Sequence, residues 1–193
     1  LTQSTADQDP ALTFDVSLGQ AHLGSGADRT AVAIVPLAAL TAAASALGRE
    51  GATTLGHGIG RALGARAKLD ANLGVEAAVD VLGAAFSLAG LGTLSLERWG
   101  QALVIAVGGA RGEGLADAAG SWLVAGVLEA MLSAATGRAS IAAVVIERAE
   151  ATTRFAIVGA ARAESLRGWL DAGLSWGEAL VRLHAPKTQE ASA

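Results

Sequence analysis

Three glycines recur at every fourth position in residues 53–69, TTLGHGIGRALGARAKL: Gly56, Gly60 and Gly64, with Gly58 between the first two. Such a stretch is either a loop that cradles phosphate or a helix with one side stripped of bulk. The loop fails on its own requirements. A Walker loop needs GxxxxGK[ST], and no Lys-Ser or Lys-Thr follows these glycines. A dinucleotide fingerprint needs GxGxxG after a strand, but Arg61 stands at the third glycine position and the preceding residues are helical in pattern. Wound as a helix, the stretch sorts into three sectors. Leu55, Ile59, Ala62, Leu63 and Leu69 form an apolar arc, which Arg66 interrupts; Gly56, Gly60, Gly64 and Ala67 form a strip without side-chain bulk; Thr54, His57, Arg61 and Lys68 are the polar remainder. Each glycine costs up to about 1 kcal/mol of helix propensity. The strip therefore predicts that a second backbone comes close.

The rest of the chain supplies partners for that helix. Residues 12–18 (LTFDVSL) alternate apolar and polar, the pattern of a half-buried strand, and 19–30 read as a loop. Pro36 suits the first turn of a helix that Gly48 stops. Residues 30–48 are uncharged and near the length of a membrane span. They are rich in Ala and Thr with Pro36 inside, so a buried helix is expected and no membrane span. A helix follows over about 75–89, with Val75, Val79, Leu82 and Phe86 on one face. Residues 93–98 and 103–107 form a hairpin, with Leu94 and Leu96 inward and the turn near Trp99 and Gly100. A long helix over about 115–136 carries Trp122, Leu123, Gly126 and Met131 and has little polar surface, as a central helix does. A second hairpin spans 141–148 and 153–158, and two helices end the chain. The last opens with the capping box Ser175-Trp-Gly-Glu178 and stops before Pro186. The expected fold is α+β: an antiparallel sheet of two hairpins plus the N-terminal strand, packed against a helical layer. One domain is expected over 11–186, between a flexible N-terminus (1–10) and a flexible tail (187–193).

The chemistry is sparse. Only 17% of the 193 residues are charged and 52% are hydrophobic, which suits a packed core. The net charge of −4 disfavours nucleic acid, whose phosphates need clustered Lys and Arg. The absence of cysteine rules out disulfides and thiolate metal sites and fits a cytoplasmic protein. His22, His57 and His184 have no second His at metal-ligand spacing, and neither HExxH nor GxSxG occurs. The expectation is a protein that is not an enzyme and carries no cofactor or metal. Glu147 with Glu150, and Glu76 with Asp80, read as solvated carboxylates before acid–base or hard-cation pairs. Glu129 differs: it interrupts the most apolar helix and needs a partner, with Arg98, Arg138 and Arg148 the candidates. It reads as a structural anchor first and as a polar group in a pocket second.

The order of these motifs resembles the vinyl-reductase-type small-molecule-binding domain, which shares its fold with subunits of the TRAPP vesicle-tethering complex. The resemblance covers about 36–158: the LGHGIGRALG helix, the LGTLSLERWGQALVIAV hairpin, the SWLVAGVLEAML helix and the VVIERAEATTRFAIV hairpin. It implies a non-enzymatic domain that binds small hydrophobic molecules or partner proteins and often dimerises. In bacterial sensor members, a zinc held by a Glu and cysteines lies at the last hairpin. Glu147 matches that Glu, but Ala149, Glu150, Thr153 and Arg154 stand around it with no cysteine, so a zinc site of that type cannot form. The resulting expectation is a homodimer whose ligand sits between helices and sheet near Gly60, Phe86, Trp122 and Gly126, and which signals through the dimer or a partner protein. Phe86 and Trp122 equally suit plain core filling. The rival is a ligand-free, TRAPP-like scaffold that docks proteins, a small GTPase among them, with strand 12–18 adding to a partner's sheet.

Overall fold

The computed structural model describes residues 12–15, 20–23, 30–67, 69, 73–109, 115, 117–149 and 151–185. The expected flexible ends, 1–10 and 187–193, lie outside the described residues. The chain divides into two compact units, 1–36 and 37–193. The boundary at Pro36 thus falls inside the stretch 11–186 read as one domain.

The first unit is a three-stranded antiparallel sheet of β1 (Leu12–Asp15), β2 (Gln20–Leu23) and β3 (Thr30–Val32), in that order. Thr13 faces His22, and His22 faces Ala31. This corrects two expectations. Residues 19–30, read as a loop, contain β2 and the start of β3. The N-terminal strand pairs in this small sheet and does not extend the hairpin sheet. Strands of three and four residues are too short for alternation to show. Residues 16–18 of the expected strand lie outside the described residues.

The second unit begins with α1 (Leu37–Arg66), broken at Gly48, whose φ of 66° and ψ of −174° are non-helical. Glycine adopts this conformation without a Cβ penalty, so the expected stop is real, but the helix resumes at once at Arg49. After it come α2 (Val75–Leu88), β4 (Thr93–Trp99), β5 (Ala102–Gly108), α3 (Ala118–Thr136), β6 (Ile141–Ala149), β7 (Thr152–Gly159), α4 (Ala160–Asp171) and α5 (Trp176–His184). The Asp117 carboxylate caps α3 by accepting from Gly120 N–H at 2.6 Å, and Ser175 and Glu178 form the predicted capping box on α5.

The two hairpins join through β5 and β7 into one antiparallel sheet of order β4-β5-β7-β6. Alternate residues of β5, β6 and β7 enter separate cores. Ile105, Val107 and Phe155 pack with Leu82, Phe86, Leu123, Val127 and Met131 beneath α1, α2 and α3. Val104, Val144 and Ala156 pack with Leu166, Leu180 and Leu183 beneath α4 and α5. The unit is therefore α+β with helices on both sheet faces. By length and composition α3 could cross a membrane, but 67% of its most apolar window is buried within the protein.

Close approach joins α1 to α3. A Cβ on Gly56 would meet Leu123 O, on Gly60 Val127 O, and on Gly64 Met131 O, the last at 2.5 Å. In return, a Cβ on Gly126 would strike Thr53 O. The contact advances four residues on each helix in the same direction, so the two helices run parallel. The glycine strip is buried while Ala62, in the expected apolar arc, is exposed. The helix ends at Arg66, so Leu69 does not belong to it. Here the backbone itself is the packing surface.

Candidate functional site

The close approach of α1 and α3 determines which side chains beside the glycines meet. Thr53 and His57 flank Gly56 on α1, and Glu129 lies one turn beyond Gly126 on α3. The Glu129 side chain is 13% exposed, and its Oε2 lies 2.8 Å from His57 Nε2. Its Oε1 accepts from Ala143 N–H at 3.0 Å. β6 is the outer strand of its sheet, so this N–H points away from the ladder and needs a partner. Glu129 thus ties α1, α3 and the β6 edge together. Arg167 Nη2 of α4 lies 3.9 Å from Oε1, beyond hydrogen-bond reach.

The arginines expected beside Glu129 are placed elsewhere. Arg98 pairs with Glu76 across α2 and β4. Arg148 Nε donates to the buried Ser121 Oγ at 3.0 Å. Arg138 has no ion-pair partner among the described residues. The pairing of Glu76 with Arg98 also bears on its reading as half of a cation pair with Asp80.

Beside Glu129 lies a cavity of about 450 Å³. Arg49 and Thr53 of α1 line it, with Trp122 and Glu129 of α3, residues 143–148 of β6, and Arg167, Leu170 and Asp171 of α4. It adjoins a more open cleft that reaches His57 and Glu164. One wall is the free edge of a strand, one is a half-buried indole, and three guanidinium groups reach it from three elements.

The expected ligand residues do not share one place. Trp122 lines the cavity. Phe86 is fully buried in the core below α2. Gly60 and Gly126 are occupied by the α1–α3 approach. Arg49, Arg148 and Arg167 are each unremarkable for this role in their own segments and gain meaning only from the tertiary fold.

Glu147, the position matching the sensor zinc ligand, is bound to Arg154 across β6 and β7. Arg154 also grips Glu97 of β4 through Nε at 2.9 Å and Nη2 at 3.1 Å. This bidentate hydrogen bonding holds the Glu97 carboxyl below its usual range, and the two carboxylates hold Arg154 above its own. Among the described residues, no three of His, Asp and Glu converge as metal ligands. A lowered carboxyl pKa contributes stability that is full above the unfolded value near 4.5 and disappears as pH falls through the folded value. Glu97→Gln should therefore melt below the parent at neutral pH. The gap between their melting temperatures should close as pH drops through the lowered Glu97 pKa.

No protein-family model matches the chain, and no curated protein matches it in sequence. Among solved structures, it is similar to the phenol-responsive sensory domain of the transcription activator PoxR, solved with phenol. The TM-score is 0.53 at 16% identity, over 91% of this chain and 92% of that one. At that identity the shared property is the fold alone.

Proposed function

We infer that residues 37–193 form a non-catalytic, cytoplasmic sensory module that binds a small organic molecule in the cavity between α1, α3, β6 and α4. The observation that carries this reading is the cavity itself. Its volume of about 450 Å³ falls within the range of ligand sites, about 300–1,000 Å³. Its lining is more polar than apolar, with Trp122 and Leu170 supplying apolar surface among convergent charged groups that could fix a ligand's orientation. The shared fold with a phenol-responsive domain and the motif resemblance to vinyl-reductase-type domains support the same reading.

Signalling follows from the cavity's walls. α1 and α3 approach backbone to backbone at the glycines and α1 breaks at Gly48, so a ligand that favours one packing of these helices would shift their populations. A homodimer or a partner protein would read that shift. The scaffold reading keeps one observation: β1 is an edge strand, paired with β2 on one side.

Native mass spectrometry of freshly purified protein, beside its denatured mass, tests the proposal. The expected result is a small added mass on the folded chain that Trp122→Ala removes. A clean folded mass, together with no rise in melting temperature from phenols or aromatic acids, would overturn it; a ligand at 100 times its Kd should add about 2.7 kcal/mol.

A further inference from the structure

We propose that the cavity's ligand is a small organic acid, with its carboxylate held by Arg49 and Arg167 and its apolar body laid against Trp122. This rests on the sensory reading above and goes further by naming the ligand's chemistry.

The argument is an account of charges. Arg49, Arg148 and Arg167 line the cavity together with Glu129, Glu147 and Asp171. Two of these carboxylates are committed: Glu147 is bound by Arg154, and Glu129 is taken by His57 and the Ala143 N–H. Asp171, the last residue of α4, is exposed. Among the basic groups, Arg148 is anchored to Ser121. Arg167 stands 3.9 Å from Glu129, and its side chain is 34% exposed. Arg49 has no ion-pair partner among the described residues. Two guanidinium forks from facing helices therefore border the cavity with donors to offer. A planar fork suits a carboxylate, which accepts two parallel hydrogen bonds. A neutral phenol would leave Arg49 without a charge partner and Arg167 with only the Glu129 carboxylate 3.9 Å away. Glu50 and Glu164 line the adjoining open cleft, which Arg49 and Arg167 also border.

The test is calorimetric titration of the full chain with benzoate and phenylacetate, against phenol and benzyl alcohol as neutral counterparts of similar shape. The acids are expected to bind at least about tenfold tighter, the gain of one charge-assisted hydrogen-bond pair. Added salt should weaken them, and Arg49→Gln with Arg167→Gln should abolish the preference. Both positions have solvent access, so melting curves of these variants should stay near the parent; Arg167→Lys, keeping charge but losing the fork, should bind with intermediate strength. Neutral compounds binding as tightly as the acids, in a manner sensitive to Trp122→Ala, would overturn this inference and leave the sensory reading standing. No binding by either set, with a clean native mass, would overturn both.

Discussion

Gly56→Ala is expected to destabilise the protein by about 2–3 kcal/mol, while Gly58→Ala, two residues away on the same helix, stabilises it by about 0.5–1 kcal/mol. Alanine is the better helix former at either position, so propensity alone predicts two gains. The opposite signs come from what a methyl group meets. At Gly58, which is exposed, there is nothing within 4 Å. At Gly56 it strikes Leu123 O and then Val127 N, with Gly126 C close behind. These are backbone atoms of α3 and cannot rotate away, so the helices must separate, which loosens the core beneath them. Separation also draws His57 away from Glu129, whose Ala143 contact then carries the carboxylate alone. Urea unfolding midpoints of the two variants measure the effect. Two stabilised variants would mean that α1 and α3 do not meet through their backbones.

The same helix shows where sequence suffices and where it stops. The glycine period predicts a flat packing face because each glycine carries a propensity cost that only close approach offsets. The partner's own small residue, Gly126, is visible in the apolar helix 118–136 as well. Sequence cannot give the register between two helices some 70 residues apart, and the site depends on that register. Glu129 announces itself as a charge in an apolar helix, yet its partner is His57, which its own segment places only in the polar sector of the glycine helix. No local pattern could choose it over the three arginines. Asp117 illustrates a milder failure: an ordinary N-cap residue, it marks the true start of α3, but buried Leu115 extended the apolar run and drew the expected boundary early. The hairpins were legible because both strands of each are long enough to alternate or form an apolar run. The arginine ring was not, because Arg49, Arg148 and Arg167 lie on a helix, a strand and a helix that only the sheet order brings together.

Phe86→Ala should be costlier still, lowering stability by about 3–5 kcal/mol. Phe86 has no exposed surface, and the cluster it joins includes Leu82, Leu91, Ile105 and Phe155. Removing the ring forfeits its transfer free energy and leaves a void that α2 and the rigid sheet cannot close. Domains are typically stable by about 5–15 kcal/mol, so the loss consumes a large share. Phe86→Leu, which refills much of the volume, should recover most of it. Trp122→Ala makes the contrast, since its ring is only half-buried and borders the cavity. It should cost less stability than Phe86→Ala yet remove ligand binding, whereas Phe86→Leu should keep binding intact. Chemical denaturation and titration of the three variants separate the two roles. If Phe86→Ala unfolds at nearly the parent midpoint but binds ligand differently, then Phe86 faces a second cavity beneath α2 and the ligand sits deeper than the arginines.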